Sequence, residues 1–482
     1  MSKDNPAFVP DISTDSSDIK LSVTPTPETK PQKTDNSCCS PRCRTVFLVF
    51  LSFIAVSYAI AITIVLIHEV YFSDEGEHGI QQKQFTAYEV LANTARGYID
   101  VRKGAHMFWW LWYAIPKHTY KEKPLILWIQ GGPGESGVGI GGFMEIGPYD
   151  TDLKYKKGNW AVHANLLIVD SPVGVGYSYV DNESLNTKNT DEIIADLMSF
   201  LKIFFNKHPE FKTIPFHIFG ESYGGRIAPL LAKQLHNEII GGKMECLLKG
   251  IVLGGPAVDM MIGPVATWAQ YLYTMSIIEE SKKDEYEREY QKLMVTYQTK
   301  NYTAISEEFQ KLSQIPYGTG IDMYNVLTWN TIEELFGPVT KLMNGEMKKA
   351  VEIVPENLVW TDMNTTVMAN EFDNVFIPVV DTVDFLLTNT SYRVTIYNGQ
   401  LDVVVNTIGT EKWLKKLTWS GMETYYNQTR TTLRIKPKSK PIGFKKTYDK
   451  FTFYWILKSG HQVPHDAPLA GEYMLIDILK NT

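Results

Sequence analysis

The stretch Pro215-Phe216-His217-Ile218-Phe219-Gly220-Glu221-Ser222-Tyr223-Gly224-Gly225 passes from a short apolar run into a serine flanked by glycines. Beyond it, Ile227, Leu230, Leu231 and Leu235 fall on one face of a helical repeat. Strand, tight turn and helix are therefore expected in that order. The turn itself, Gly220 to Gly224, matches G-x-S-x-G, a pattern that lifts a serine above the edge of a sheet. At ordinary glycine and serine frequencies of about 7%, a chain this long holds about 0.16 such matches by chance. The flanking strand and helix therefore carry the reading, and the alternative is a glycine-rich turn whose serine only caps the helix.

Similar apolar runs lie at Pro124–Ile129, Leu166–Val169, Gly250–Leu253 and Arg393–Tyr397, each bounded by Gly, Asp or Asn as buried parallel strands are. Gly97–Val101 and Met107–Ala114 read as an aromatic-rich entry hairpin. Ile193, Leu197, Phe200, Leu201 and Phe204 repeat with helical period between strands. This alternation predicts an α/β, doubly wound, mostly parallel sheet. Residues 256–375 break the rhythm, and the charged segments Glu279–Lys300 and Glu307–Leu312 predict an inserted helical cap.

A serine hydroxyl needs a base and an acid that orients the base. The run Arg393–Tyr397 leads to Asp402, and Phe451–Lys458 leads through Ser459-Gly460 to His461. Both candidates follow a strand end, and the order Ser, Asp, His fits the turn motif. His465 is the rival base, beyond Pro464. Ser222 and His461 are expected at an exposed strand-end site rather than in the core. Trp128-Ile129-Gln130-Gly131-Gly132-Pro133-Gly134 follows the first parallel strand, and its glycines allow backbone amides to approach a developing alkoxide. Otherwise it is a plain turn; a phosphate-binding loop is excluded, since no G-K-[ST] follows.

Composition sets the bounds. The 482 residues are 44% hydrophobic and 21% charged, which excludes a wholly disordered chain and a multi-pass membrane protein. The net charge of −7 leaves no basic excess for nucleic acid. Residues 1–45 hold six Lys/Arg and six Asp/Glu with few large apolar residues, the composition of a disordered tail. Residues 46–67 are uncharged, and at about 1.5 Å each span about 33 Å, enough for a bilayer. A signal peptide fits poorly after so long a polar segment. Lys30, Lys33, Arg42 and Arg44 precede this span, whereas Asp74, Glu75 and Glu77 follow it in the stalk, residues 68–83. The tail should face the cytosol and the body, residues 84–482, the lumen or exterior, as in a single-pass type II membrane protein. The sequons at Asn182, Asn301, Asn364, Asn389 and Asn427 all lie in that body. Cys38, Cys39 and Cys43 sit beside the span and are either palmitoylation sites or unmodified thiols; Cys246 is the body's one cysteine. No second ligand pair accompanies the cysteine cluster, so no metal is implied.

Six segments in order, WIQGGPGESG, FMEIGPYD, NLLIVDSPVGVGYSY, PFHIFGESYGGRIAP, YNGQLDVVVNT and SGHQVPHDAP, together resemble a serine carboxypeptidase over residues 84–478. The resemblance implies an α/β-hydrolase fold and no cofactor. It implies Ser222 as nucleophile, His461 as base and Asp402 as its orienter, with the amides of Gly132 and Tyr223 as oxyanion hole. Gln130, Gly131 and Glu221 would hold the free carboxylate of a peptide's last residue, with Glu145 supporting Glu221. Gln130 stands where most of the family has Asn, and Glu135 where it has Cys; the membrane span is a further departure.

The implied substrate is a peptide or protein C-terminus, cleaved on a membrane of the lysosomal–endosomal system or the cell surface, at acidic pH because Glu221 and Glu145 would share a proton. An acyltransferase or esterase could use the same triad, but Glu221 would then have no terminal carboxylate to bind. A non-catalytic binding protein on a hydrolase fold usually lacks a triad residue, whereas all three are present here.

Overall fold

The computed structural model describes residues 83–480. The expected tail, membrane span and nearly all of the stalk, with Cys38, Cys39 and Cys43, lie outside them. Among the described residues no helix is long and apolar enough to cross a membrane.

The strands are β1 Thr94–Arg102, β2 Ala105–Trp112, β3 Leu125–Ile129, β4 Asn165–Val169, β5 Tyr179–Val180, β6 Pro215–Glu221, β7 Leu247–Gly254, β8 Arg393–Gly399, β9 Thr431–Leu433, β10 Gly443–Tyr448 and β11 Phe451–Ile456. They form one mixed sheet in the order β1-β2-β4-β3-β6-β7-β8-β11-β10-β9, with β5 added beside β2. The strands from β4 to β11 in that order are parallel, and antiparallel pairs flank them on both sides. The parallel strands are short and continuously apolar because both faces are covered. Along β3, Leu125, Leu127 and Ile129 enter one core and Ile126 and Trp128 the other. In β11, Phe451, Phe453 and Trp455 alternate in the same way with Tyr454 and Ile456.

Helix α1, Thr190–Lys207, presents Ile193, Leu197, Phe200, Leu201 and Phe204 to the first core. Asn189 caps it by accepting from the Glu192 amide, with Asp191 and Glu192 in the first turn and Lys207 in the last. Helix α2, Gly224–Ile240, starts directly after the Ser222 turn and buries Ile227, Leu231 and Leu235 beside α1.

Between β7 and β8 the chain leaves the sheet and builds the helices Trp268–Thr274, Glu280–Gln298, Tyr302–Tyr317, Ile332–Leu342 and Thr365–Glu371. The charged helix Glu280–Gln298 buries Tyr286 and Leu293 and leaves most of its surface to water. With Met261, Trp268, Leu272 and Ile305 these residues form a separate apolar cluster, which also takes in Leu401, Val403 and Val405. The insertion thereby grips the loop after β8. The Val326 amide donates to the Leu401 carbonyl at 3.0 Å, and the Val403 and Val404 amides donate to the Met323 carbonyl at 3.2 and 3.1 Å.

A buried aspartate sets the remaining wall. Asp170, just past β4, accepts from the Ser136 hydroxyl at 2.6 Å, the Val138 amide at 2.9 Å and the Tyr177 amide at 2.8 Å. It pins the start of the wide-turned helical segment Gly137–Glu145, whose last residue reaches the site.

Candidate active site

Strand β6 ends on Glu221, and Ser222 follows with φ of +56°. A side chain in that left-handed region costs about 1–2 kcal/mol, so the surroundings must hold it there. Hydrogen bonds do so: the Ser222 amide donates to the Gly254 carbonyl at 2.8 Å, and its carbonyl accepts from Gly225 and Ala257, both at 3.0 Å. Packing forbids anything larger beside it. A Cβ on Gly220 would lie 2.1 Å from the Gly224 carbonyl oxygen, and one on Gly224 2.1 Å from that of Ile129. Ser222 is left half-buried at the strand end.

Asp402 and His461 arrive from the ends of β8 and β11, which are adjacent in the sheet. His461 Nδ1 lies 2.7 Å from Asp402 Oδ2, and Asp402 Oδ1 accepts from the Val405 amide at 2.9 Å. The carboxylate fixes the ring through Nδ1 and leaves Nε2 for proton transfer. Gly255 brings this pair to the serine: it follows Gly254, which binds the Ser222 amide, and a Cβ on it would lie 3.1 Å from both Asp402 Oδ2 and His461 Nδ1. His465 is exposed on the next short turn, and its Nδ1 lies 3.4 Å from the Met144 carbonyl oxygen.

The exposed setting expected for His461 is corrected by the structure. Its exposure is 3% and that of Asp402 is 0%. The cause is Tyr324 of the insertion, whose carbonyl accepts from the His461 amide at 2.7 Å and whose ring stands edge-on to the imidazole at 5.3 Å. Burial pulls the imidazole pKa down, but Asp402, with Glu135 and Glu145 behind it, more than offsets this and raises it above 6.5.

The loop after β3 closes over the serine. A Cβ on Gly131 would lie 2.6 Å from Ser222 Cβ and 3.1 Å from its Oγ. Gly132 takes φ of +101°, which only glycine adopts readily. In the backbone network of the described residues the Gly132 and Tyr223 amides donate to no carbonyl, so both are free for an oxyanion.

Beside the serine lies a pocket of carboxyls. The Gln130 side chain accepts from Trp128 Nε1 at 2.6 Å, donates through Nε2 to Glu145 at 2.9 Å and reaches Glu221 at 3.5 Å. The Tyr397 hydroxyl donates to the other Glu221 oxygen at 3.5 Å. Exposures of 1% for both Glu145 and Glu221 mean that two adjacent negative charges would be strongly disfavoured. Burial, then the charge of the partner carboxyl, holds Glu221 well above the ordinary range. Burial likewise pushes Glu145 up to about 7. The pair therefore keeps a proton, as the two protonation states of one shared site.

The sequence-predicted residues Ser222, Asp402, His461, Gly131, Gly132, Tyr223, Gln130, Glu145 and Glu221 thus lie around one strand edge. Tyr324 and Tyr397 were missed: Tyr324 sits in the irregular insertion without a motif, whereas Tyr397 ends a recognised strand. Of the sequons, Asn182, Asn301, Asn389 and Asn427 are exposed. Asn364 is half-buried; its amide nitrogen donates to the Gly174 carbonyl at 2.7 Å and its oxygen caps the helix Thr365–Glu371.

Comparison with known proteins gives the same direction. The family profile described as serine carboxypeptidase matches residues 85–481. Retinoid-inducible serine carboxypeptidase of Mus musculus is 38% identical over 400 residues, covering 77% of this chain and 87% of that protein. Serine carboxypeptidase-like 51 of Arabidopsis thaliana is 35% identical over 430 residues, covering 80% and 92%. The crystal structure of a prohormone-processing carboxypeptidase from Saccharomyces cerevisiae superposes with a TM-score of 0.72 at 20% identity, over 82% of this chain and 95% of that one, which establishes the α/β-hydrolase fold.

The carboxyl pair has a thermodynamic consequence. A folded-state pKa of about 7 for Glu145, against 4.5 unfolded, means the folded protein binds that proton more tightly. The stabilisation is complete below pH 4.5 and is lost as pH rises through 7. Glu145→Gln has no proton to lose. Its melting temperature is expected to fall less than that of the wild type between pH 5 and pH 8, by about 2–4 °C. Identical falls in scanning calorimetry would mean that the pair shares no proton.

Proposed function

The chain belongs to the serine carboxypeptidase family and is a serine-type carboxypeptidase, and we propose that it releases the last residue of peptides through an acyl-enzyme on Ser222. The observation that carries this assignment of roles is the buried Gln130–Glu145–Glu221 group beside the strained serine. A hydrolase that ignored the end of its substrate would have no use for it.

In this reading His461 Nε2 takes the Ser222 proton as Oγ attacks the carbonyl before the last residue. The oxyanion forms against the Gly132 and Tyr223 amides, and His461 returns the proton to the leaving amine. Water then repeats the cycle and frees Ser222. The terminal carboxylate is received by Gln130, the Gly131 amide and protonated Glu221, while Glu145 props Glu221. A proton donated to an entering carboxylate makes a short, charge-assisted hydrogen bond.

Efficiency peaks on the acid side of neutrality in this scheme. Its alkaline limb is loss of the pair's proton, which leaves the pocket repelling the substrate. Its acid limb is protonation of His461, and the carboxylates that raise that pKa above 6.5 also move the limb upward. The optimum is thus narrower and less acidic than the carboxyl pair alone would make it. Residues 46–67 anchor the protein with its tail in the cytosol and its body in a lumen or outside the cell. Glycans on Asn182, Asn301, Asn389 and Asn427 fit that side, with Asn364 the least open acceptor.

Ser222→Ala and His461→Ala are each expected to lower kcat by a factor of about 10⁴ to 10⁶; Ser222→Ala should retain the melting temperature, whereas His461→Ala, which leaves buried Asp402 without its imidazole, should lower it. Near wild-type turnover in either would remove it from the mechanism. Glu221→Gln should flatten the alkaline loss for peptides, since an amide donates at every pH, and leave esters without a free carboxylate little changed. Wild-type peptide efficiency that climbs steadily to pH 8 would count against the pair. Protease added to intact cells should digest the body and spare an N-terminal tag; the reverse pattern would invert the topology.

A further inference from the structure

We infer that Glu135 is a specificity-determining residue that favours peptides whose last residue carries a cationic side chain, lysine or arginine. The inference rests on the carboxypeptidase reading above and names the substrates of that same site.

The last residue of a substrate must bridge two fixed points. Its carboxylate meets Gln130 and Glu221, and its amide nitrogen meets His461 when it leaves. Glu135 interacts with groups at both ends, Gln130 and His461. Its backbone is folded onto the intervening loop: its amide donates to the Gly131 carbonyl at 3.3 Å, and its Cγ lies 3.4 Å from where a Cβ on Gly132 would be. Tyr324, whose hydroxyl lies 2.7 Å from Glu135 and whose ring lies 5.3 Å from that of His461, ties the other side of Glu135 to the base, so a residue bridging Gln130 and His461 is placed beside it. Its exposure of 3% equals that of Gln130 and His461, residues that must themselves meet substrate, so burial does not set it apart from the pocket.

The charge of this wall is one-sided. Glu135 pairs in an antiparallel bridge with Met363, beside Asp362, whose carbonyl accepts from the Ser136 amide at 2.9 Å. The groups acting on Glu135 are Tyr324, His461, Asp362 and Gln130, and none brings a permanent positive charge. The Tyr324 hydroxyl donates to Glu135 Oε1 at 2.7 Å and Gln130 is the other hydrogen-bonding side chain, so both partners are neutral. Glu145 and Glu221 add further negative potential nearby. A lysine or arginine side chain supplies the missing cation, an apolar one leaves the carboxyl without a counter-charge or protonated, and an acidic one is repelled. Burial raises the Glu135 pKa, so the preference should strengthen as pH rises and the carboxyl ionises. His461 loses its positive charge over the same range and acts in the same direction. Glu135→Gln keeps His461 and separates the two.

The test uses full-length protein and peptides identical but for a last residue of arginine, norleucine or glutamate. In the wild type at pH 7, kcat/KM for arginine should exceed that for norleucine by about tenfold, with glutamate lowest. The ratio should shrink between pH 7 and pH 5. In Glu135→Gln it should fall to about two and keep only the weaker pH dependence that His461 causes. Tyr324→Phe frees the carboxylate and should keep the preference, whereas a purely structural tie would make both variants alike. An unchanged arginine-to-norleucine ratio in Glu135→Gln overturns the inference. So does a wild-type ratio near one at both pH values, which needs no variant to fold. If no peptide loses its last residue while a fluorophosphonate still labels Ser222, the carboxypeptidase reading itself fails, a result distinct from equal cleavage of all three.

Discussion

The turn at Ser222 is the constraint on which the rest depends. A serine at φ +56° between β6 and α2 is held by three backbone hydrogen bonds and by glycines that nothing larger could replace. Because α2 begins directly after this turn, the Gly225 amide donates back to the Ser222 carbonyl, and the Tyr223 amide, which donates to no backbone carbonyl, is left free beside the serine. Because Gly224 packs on the Ile129 carbonyl, β3 must end beside β6, and its glycine loop falls against Oγ. Parallel pairing then brings the ends of β7, β8 and β11 to the same edge. The site is thus a consequence of strand order as much as of the residues it contains.

The sheet alone would leave that site open to water. The inserted helices turn strand-end loops into buried ones, binding the Asp402 loop through Met323 and Val326 and the His461 loop through Tyr324. Exclusion of water strengthens the Asp402–His461 contact and makes paired carboxyls costly. The insertion therefore shapes the electrostatics of the site, not just access to it.

Much of this could be read from the chain because parallel strands are short apolar runs and their loops carry the chemistry. The turn at Gly220–Gly224, the loop at Gln130–Gly134 and the positions of Asp402 and His461 each follow such a run. β9 and β10 escaped notice because Thr431–Leu433 is a three-residue edge strand and Gly443–Tyr448 beside it carries Lys and Thr and is mostly only half-buried. Tyr324 was invisible for a different reason: its contacts with His461 and Glu135 span more than a hundred residues and depend on how the insertion folds back. Burial of His461 was misjudged through the same omission.

The carboxyls finally connect binding with catalysis. Glu145 and Glu135 both act on His461, so a proton held on either one reduces the pull that raises the imidazole pKa. In the proposed mechanism an entering substrate carboxylate takes a hydrogen bond from the shared proton. The base and the binding group therefore cannot titrate independently. In that mechanism binding to the protonated pair keeps the pocket's charge low, and deprotonation would both repel substrate and hold His461 more tightly protonated. Under the proposed mechanism one set of buried acids sets both limbs of the pH response, so that moving either limb by substitution also moves the other.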